Sequence, residues 1–312
     1  MSRYKVIANP SAGGGAGERA IPQIERLLTR HGLDFDIVRT QRPWHAAELA
    51  REAVIAGGDV VVAAGGDGTS NEVINGLMEA RQAGYHSSVL GVLGVGRGND
   101  FAHGVGIPHD LELACRVLVE DHRRMIDIGR VAGGLFPQGR YFGNCVGVGF
   151  DAISTIEVAK LPRLGGFLSF FIAVLKTIFL YYKAPLTTVE YDGQTLTQPS
   201  LMISIMNGQR LGGGFLMAPD AKPDDGLFNL CIAHEVSRAR IFSLIPHFLK
   251  GTQATQEPIT TGQAAHVSIT AVKGVLPAQT DGEILCIDGQ HLEIELLPRQ
   301  IEVLYQPPRD VQ

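Results

Sequence analysis

A glycine-rich break in an apolar run is the first feature of this sequence that could carry out chemistry. The segment VVVAAGGDGTSNEVINGL (60–77) indicates a buried strand, a short loop and a helix. Gly65, Gly66 and Gly68 allow backbone N–H groups to point at an anion, and the helix N-terminus adds positive potential. The Thr69 hydroxyl can add one more hydrogen bond. The segment therefore predicts a phosphate site, and an ordinary capped strand-to-helix turn is the alternative.

Asp67, within the same loop, indicates what would accompany the phosphate. A carboxylate among phosphate oxygens is repelled unless a cation lies between them, and oxygen atoms are the ligands that Mg²⁺ prefers. Asp67 therefore predicts magnesium, bound directly or through water.

Two more glycine loops follow predicted strands of the same sheet. NPSAGGGAG (9–17) follows the first strand and GVGRGNDFA (94–102) follows the fourth. Asn9 can fix the geometry of the earlier loop, and Arg97 offers a cation to phosphate. Ligands of open parallel sheets bind beyond the carboxyl ends of the strands. Three such loops together therefore favour a nucleotide, although each one alone is explained as well by a structural turn.

Acidic residues lie in two further loops. APDAKPDDGLFNL (218–230) carries three aspartates before an apolar strand, a pattern that suits either a turn or a site for a hard cation. TDGEIL (280–285) carries Asp281 and Glu283, where a hairpin turn is the alternative to a role in proton transfer.

The elements that must position these loops fall into two regions. Through the first third of the chain, short β-branched runs alternate with helical patterns, which is typical of a parallel sheet covered by helices. From about residue 126, short strands separated by glycine predict a mostly antiparallel domain, with helices at roughly 153–182 and 237–250. Asp192-Gly193 and Asp288-Gly289 indicate two-residue hairpin turns. The predicted fold class is thus α/β followed by mostly β, and the last strand, QIEVLY (300–305), could join either domain.

The composition indicates a globular protein without a nucleic-acid partner. The chain has 312 residues, 45% of them hydrophobic, and a formal net charge of −5, which argues against nucleic-acid binding. The four cysteines are widely spaced, which predicts buried, reduced side chains rather than a metal or redox site. The N-terminus lacks the apolar stretch of a signal peptide, so we expect a cytoplasmic protein.

An apolar run at 166–182 bears on membrane contact. It falls short of the roughly 20 residues that a spanning helix requires, and Lys176 interrupts it. The wider segment 163–183 combines large apolar and aromatic residues with flanking cations. These residues are Phe167, Phe170, Phe171, Ile178, Phe179, Tyr181 and Tyr182 with Arg163, Lys176 and Lys183. A core helix and a helix that meets lipid at a membrane surface both remain open.

The order and spacing of NPSAGG, GGDGTSNEVINGL, GNDFA and APDAKPDDGLFNL resemble the diacylglycerol kinase catalytic family, especially the soluble bacterial lipid kinases. The resemblance covers nearly the whole chain. GGDG alone is shared with NAD kinases and phosphofructokinases, whereas its continuation into NEVINGL and then GNDFA is specific to the lipid kinases. The resemblance implies an NAD kinase/phosphofructokinase-like α/β domain at 1–126 with 299–312. A C-terminal antiparallel β-sandwich at 127–298 would bind lipid and magnesium.

The resemblance also implies which residues line the ATP site. They are Asn9, Pro10, Ser11, Ala12, Gly13, Thr40, Gly65, Gly66, Asp67, Gly68, Thr69, Ser70, Asn71, Glu72, Arg97, Asn99, Asp100 and Glu283. Arg97 departs from the family, which usually has Thr or Ser there, and this puts the phosphate contacts or the nucleotide preference in doubt. Asp100 and Asp127 match acidic positions linked to the active-site magnesium through water, with a helix cap and a strand-end turn as the alternatives.

Roles for the remaining acids also follow from the resemblance. Asp225 would give its carboxylate, and Lys222 and Leu227 their main-chain carbonyl oxygens, to a structural magnesium ion. Asp281 would accept the proton of the attacking hydroxyl, and Asp67 is the reserve because the related sphingosine kinases use the GGDG aspartate.

We therefore expect an ATP- and Mg²⁺-dependent kinase that phosphorylates the hydroxyl of diacylglycerol or a related lipid, with ATP in the cleft between the domains. The alternatives are a sphingoid-base kinase, an NAD kinase-like metabolite kinase and a non-catalytic lipid-binding protein of the same fold. The lipid would be met at a membrane surface by transient, peripheral contact. The sequence leaves open whether the chain forms a homodimer.

Overall fold

The computed structural model of the chain describes residues 3–86, 88–160, 166–180 and 183–307. The chain divides into two compact units. Unit 1 comprises Met1–Ile126 with Arg299–Gln312, and unit 2 comprises Asp127–Pro298.

Unit 1 is an alternation of strands and helices. Its elements are β1 (Arg3–Ala8), α1 (Ala12–Arg30), β2 (Asp34–Arg39), α2 (His45–Ile55), β3 (Val60–Gly65), α3 (Asp67–Gln82), β4 (Val89–Gly94), α4 (Asp100–Gly104) and α5 (Leu111–Glu120). The strands pair in parallel in the order β4-β3-β1-β2. Every residue of β3 is buried, as its uninterrupted apolar sequence predicts for a central strand.

The start of α3 differs from the sequence-based expectation. The sequence pattern puts Asp67 in the loop before the helix, but the helix begins at Asp67 itself. The backbone of Gly66 is extended and its carbonyl oxygen accepts a hydrogen bond from Ser70 N at 3.0 Å. Because Gly66 serves as the N-cap, Asp67 lies in the first helical turn, where its negative charge suits the helix dipole.

Unit 2 is mostly antiparallel. Its elements, including two strands shared with unit 1, are β5 (Arg123–Gly133), β6 (Phe136–Phe142), β7 (Cys145–Gly149), α6 (Phe150–Lys160), α7 (Gly166–Leu180), β8 (Leu186–Tyr191), β9 (Gln194–Met206), β10 (Phe228–His234), α8 (Arg238–Lys250), β11 (Ile259–Ala264), β12 (His266–Lys273), β13 (Leu276–Thr280), β14 (Glu283–Gly289) and β15 (His291–Leu304). The strands follow the order β14-β13-β7-β9-β8-β12-β15, and β10 pairs with β9 and β11. The predicted combination of an α/β region with a β-rich region is confirmed.

The long strand β15 takes part in both units. Its first residues pair antiparallel with β12, whereas Val303 pairs in parallel with Leu90 of β4. The predicted strand 300–305 is thus the end of a longer element.

One of the two predicted hairpin turns is present and the other is wrong. Asp192 and Gly193 have φ of 47° and 72° and connect β8 with β9. Asp288 and Gly289 instead lie within β14, where Gly289 pairs with Leu276. The turn is absent because β14 pairs with β13, and the following strand β15 pairs with β12.

Two apolar clusters form the core of unit 2. One lies within the sandwich of strands, and the other packs α7 and α8 against β9 and β10. The second cluster includes Val174 and Ile178 of α7 and Ile241 of α8. All four cysteines are buried and free, as their spacing predicted. Among the described residues, no helix is both long and apolar enough to span a bilayer.

Candidate active site

The first glycine turn begins where β1 ends. Asn9 N donates to the carbonyl oxygen of Ala64 at 2.9 Å, and Asn9 Oδ1 accepts hydrogen bonds from Ser11 N and Ser11 Oγ at 3.0 and 2.8 Å. The next three glycines, residues 13–15, have φ of 58°, 74° and 91°. Residues with a side chain rarely adopt this left-handed backbone conformation, so glycine is needed for this turn.

The second turn, between β3 and α3, is tied to the first by side chains. Asn9 Nδ2 donates to Thr69 Oγ1 at 2.9 Å, so the hydroxyl predicted to meet phosphate also accepts a hydrogen bond inside the protein. A Cβ at Gly65 would lie 2.3 Å from the same oxygen, which explains the absence of a side chain there. Asp67 Oδ1 accepts a hydrogen bond from Phe101 N at 3.0 Å, which links this turn to α4.

Asn99 organises the third turn. Its φ is 53°, its Oδ1 accepts from Gly96 N at 3.0 Å, and its Nδ2 donates to the carbonyl oxygens of Gly94 and Gly96 at 3.3 and 3.2 Å. Asn99 is 6% exposed. Its amide therefore shapes the loop.

The three turns converge at the carboxyl edge of the parallel sheet. A Cβ on Gly96 would lie 2.3 Å from the Cα of Gly66, and a Cβ on Gly13 would lie 2.8 Å from the carbonyl oxygen of Val95. The backbones can approach this closely only because these positions lack side chains. The site therefore presents glycine backbone beside the N-terminus of α3, an arrangement suited to binding phosphate oxygens.

Two carboxylates flank this edge. Asp67 Oδ2 and Asp100 Oδ2 lie 2.9 and 3.2 Å from the position that a Cβ of Gly98 would take. Asp100 is 4% exposed. Two carboxylate oxygens that face the same small space beside Gly98 are ligands of the kind a hard cation prefers, so the residues present are compatible with Mg²⁺.

Several other residues predicted to line the ATP site have identifiable places in unit 1. Asn71 is fully buried, and its main-chain oxygen accepts from Asn75 Nδ2 at 2.8 Å. Glu72 Oε2 accepts from Ala46 N at 3.0 Å, at the start of α2.

Thr40 follows β2 and its N–H donates to the carbonyl oxygen of Ala8 at 2.9 Å, close to the first turn. Arg97 is half-buried. The remaining predicted residues, Pro10, Ala12, Gly68 and Ser70, belong to the first two turns or the first turn of α3.

Asp281, in unit 2, has an extensive set of hydrogen bonds. With Gly282 it forms the two-residue turn between β13 and β14, both with positive φ. Asp281 Oδ2 accepts from Gly143 N at 2.9 Å, and Oδ1 accepts from Asn144 N and Cys145 N at 3.0 and 2.8 Å. Three N–H donors favour the ionised carboxylate and fix the turn that precedes β7. Glu283 is exposed at the start of β14.

The predicted magnesium loop of unit 2 is held in place by Asp127. Asp127 Oδ2 accepts from Gly226 N at 2.7 Å, and Asp127 N donates to the carbonyl oxygen of Pro223 at 2.7 Å. Asp225 is exposed and its Oδ1 accepts from Leu227 N at 3.1 Å. No group of three or more Asp, Glu, His or Cys side chains among the described residues could hold a metal. One carboxylate with loop carbonyls such as that of Lys222 still suits Mg²⁺, which keeps several waters.

Two known families match this chain, one over its N-terminal region and the other over its C-terminal region. Residues 3–131 match the family described as "Diacylglycerol kinase catalytic domain", and residues 144–305 match "YegS C-terminal NAD kinase beta sandwich-like domain". The chain is 30% identical to a diacylglycerol kinase of Bacillus subtilis (strain 168) over 286 residues, 91% of this chain and 90% of that protein.

The chain belongs to the diacylglycerol kinase family.

Solved structures agree with this family at the level of the fold. A diacylglycerol kinase of Bacillus anthracis strain Sterne superposes with a TM-score of 0.72 at 20% identity, covering 98% of this chain and 97% of that one. An NAD kinase of Archaeoglobus fulgidus in complex with ATP gives 0.51 at 14% identity, covering 97% and 93%. The predicted fold class is therefore confirmed. The family match and the 30% identical relative confirm the predicted family, so the chain is an ATP-dependent kinase.

Asp151 is a candidate functional residue that the sequence motifs of this diacylglycerol kinase family member did not indicate. Asp151, in the first turn of α6, is 2% exposed, and burial raises the pKa of its carboxyl to about 7, although hydrogen bonds from Gln279 and Ser204 oppose the rise. Ser204 Oγ lies 3.4 Å from Asp151 Oδ2. A Cβ on Gly147 would lie 2.0 Å from that oxygen, so glycine at 147 is required. The sequence signal was an acid placed directly after a glycine-punctuated apolar strand, GVGFD (147–151).

Proposed function

We propose that this kinase transfers the γ-phosphoryl group of ATP to the hydroxyl group of diacylglycerol or a close relative, giving a phosphatidic-acid-type product. The observation that carries the proposal is the convergence of three glycine turns at one edge of the sheet, where Gly66 and Gly96 approach without side chains between them. Such a surface of backbone N–H groups suits a triphosphate. The choice of diacylglycerol as the lipid rests on the similar proteins, which are diacylglycerol kinases.

Unit 1 is the proposed nucleotide-binding domain. The first turn, the N-terminus of α3 and the third turn would surround the phosphates. Arg97 fits this role because it is half-buried and makes no hydrogen bond or ion pair within the part of the chain that the structure describes. A guanidinium in this position can bind two phosphate oxygens at once.

Mg²⁺ is proposed at two places. Asp67 and Asp100 would hold the ion that accompanies ATP, directly or through water, and a bound Mg²⁺ would neutralise charge on the transferred group. In unit 2, Asp225 with the carbonyl oxygens of Lys222 and Leu227 would hold a structural ion. The hydrogen bonds between Asp127 and this loop, one accepted by its carboxylate and one donated by its N–H, support this second proposal because they fix the loop that would supply the ligands.

Asp281 remains the proposed proton acceptor and Asp67 the reserve. The ionised form that Asp281 needs for this role is the one that three N–H donors favour. The same hydrogen bonds involve both carboxylate oxygens and fix the turn before β7, so a purely structural role of Asp281 is the alternative.

Unit 2 is the proposed lipid-binding domain. We propose a cytoplasmic enzyme whose unit 2 helices contact the membrane surface transiently. Phe167 and Phe179 of α7 are 42% and 61% exposed, and Phe179 packs against Phe242 of α8 with ring centroids 5.7 Å apart. Exposed aromatic rings on adjacent helices suit the bilayer interface. Lys176, predicted as a flanking cation for lipid, instead pairs with Glu157 of α6 at 2.7 Å. Arg163, Tyr181 and Tyr182 lie outside the described residues. Analytical ultracentrifugation of the full chain would decide whether it forms a homodimer, which the sequence leaves open.

The deciding experiment is transfer of label from [γ-³²P]ATP with Mg²⁺ to separately presented diacylglycerol, sphingoid base and NAD⁺. We expect labelled phosphatidic acid. Label in the sphingoid base alone would favour that alternative, label in NADP⁺ would replace the lipid by a soluble metabolite, and no label anywhere would contradict the proposed activity.

A further inference from the structure

The loop between β2 and α2, residues 40–44, contains the single tryptophan of the chain. Trp44 immediately precedes α2, and its backbone lies in the left-handed region, with φ of 65° and ψ of 0°. A bulky residue rarely adopts this conformation, which costs free energy and is found most often at ligand sites and active sites. Trp44 is half-buried. The fold therefore holds this indole in place at a cost in stability.

The tryptophan loop lies at the same edge of the sheet as the three glycine turns. Because β1 and β2 pair in parallel, Thr40 follows β2 at the edge where Asn9 follows β1. Thr40 N–H donates to the carbonyl oxygen of Ala8 at 2.9 Å, which attaches the loop to the start of the first turn. Since β2 is two strands from β3 and neighbouring strands lie about 4.8 Å apart, the loop begins roughly 10 Å from the second turn. A nucleotide whose phosphates occupy the turns can therefore extend its base toward this loop.

Hydrogen bonds hold the chain on both sides of Trp44. Gln41 N donates to Nδ1 of His45 at 3.0 Å, which closes the loop around the tryptophan. Ala46 N donates to Glu72 Oε2 at 3.0 Å, which attaches the start of α2 to α3. Glu72 lies less than two helical turns from the first residue of α3. The second glycine turn and the tryptophan loop are therefore connected through the first part of one helix.

We propose that the indole of Trp44 stacks on the base of the bound nucleotide. The inference rests on the proposed nucleotide site of unit 1 and deepens it, because it names the residue that recognises the base. Stacking on an aromatic ring strengthens binding about tenfold or more and depends little on which base is present, since every base has a π face. The backbone of the glycine turns would hold the phosphates, and Trp44 would hold the base without choosing between adenine and guanine.

The emission of Trp44 tests the contact directly, because the chain has no other tryptophan. Mg-ATP titrated into the full-length protein should quench this emission. Mg-tripolyphosphate, which carries the phosphates without a base, should leave the emission nearly unchanged when it binds. Calorimetric titration of the same solutions measures binding independently. Calorimetric binding of ATP with no change in tryptophan emission would overturn the proposed stacking.

Substitution of Trp44 separates stacking from support of the loop. Trp44→Ala should lower the affinity for Mg-ATP about tenfold and keep that for Mg-tripolyphosphate within about twofold, whereas Trp44→Phe should restore most of the affinity for ATP. Tyr85→Ala is the control, because it removes a 43% exposed aromatic side chain beyond the far end of α3. Should Trp44→Ala fail to fold, Trp44→Gly suits the left-handed backbone and gives the same comparison. Equal losses for both ligands would show that Trp44 only supports the loop and would overturn its role with the base.

Lipid phosphorylation then separates this inference from the proposed function. The parent and Trp44→Ala are each assayed with diacylglycerol over a range of [γ-³²P]ATP concentrations. We expect the KM for ATP to rise about tenfold in the variant, with kcat within about twofold of the parent. If no lipid is labelled while ATP still quenches the tryptophan, the proposed activity fails and the stacking stands. If both proteins label lipid with the same KM for ATP, the stacking fails and the activity stands.

Discussion

At the scale of single residues, Asp151 couples folding to pH. Its carboxyl has a pKa of about 7 in the folded chain against an ordinary 3.8, because burial disfavours the charge. Between these values the folded state holds a proton that the unfolded state has lost, so the free energy of unfolding falls as pH rises, by up to about 1.4 kcal/mol per pH unit. Above about pH 7 this contribution levels off.

Asp151→Asn removes this dependence. We expect the difference in free energy of unfolding, variant minus parent, to increase from pH 4 to pH 7 and then to stay constant. Urea unfolding at pH 4, 5, 6, 7 and 8 measures it. A difference that does not change with pH would mean that the carboxyl titrates normally in the folded chain.

Asp281 allows structural and chemical roles to be separated. Asp281→Asn replaces an acceptor oxygen by an NH₂ group that faces a backbone N–H, which should cost about 1–3 kcal/mol of stability. Assayed well below its melting temperature, the variant should lose phosphoryl transfer and keep Mg-ATP binding if Asp281 accepts the proton. Asp67→Asn is the comparison, and retained turnover in Asp281→Asn with loss in Asp67→Asn would transfer the role to Asp67.

At the scale of elements, the glycine turns depend on one close approach. Gly96→Ala would place a Cβ 2.3 Å from the Cα of Gly66, so the second and third turns would have to separate. We expect at least a hundredfold loss of ATP affinity in calorimetric titration with a smaller loss of stability. Gly84→Ala is the control, because its Cβ meets open space and costs only about 1 kcal/mol for a left-handed conformation. Equal affinity in both variants would contradict a phosphate site between these turns.

The exposed aromatic rings of α7 and α8 predict a different kind of change. Phe179→Ser combined with Phe242→Ser should lower turnover of long-chain lipid in vesicles about tenfold, because the apolar contact with the bilayer is lost. Turnover of a short-chain diacylglycerol dissolved in water should stay within twofold. Vesicle sedimentation measures binding directly, and unchanged sedimentation would rule out contact through this pair of rings.

At the scale of the whole molecule, what the sequence could predict depended on how far apart the interacting residues lie in the chain. The strand-loop-helix around Asp67 follows from local apolar patterning and glycine. Nothing local shows that Asp281 receives hydrogen bonds from residues 143–145, or that Asp151 meets Gln279. Both contacts come from the pairing of β7 with β13, more than 120 residues later. The prediction of a hairpin at Asp288 was wrong for the same reason, because β14 pairs with β13 and β15 with β12, and the local sequence does not show which strands pair.

Binding of the nucleotide should also register in the stability of the folded chain. A ligand that binds only the folded state at a hundred times its dissociation constant adds about 2.7 kcal/mol to the free energy of unfolding. Because the proposed site joins three turns of unit 1, saturating Mg-ATP should raise the melting temperature of that unit by several degrees. ATP with EDTA should give a smaller rise, since Asp67 and Asp100 then repel the phosphates without a cation between them. Differential scanning calorimetry of the parent and of Gly96→Ala measures both effects. An identical shift in the two proteins would place ATP elsewhere, and no shift in the parent would contradict the nucleotide site itself.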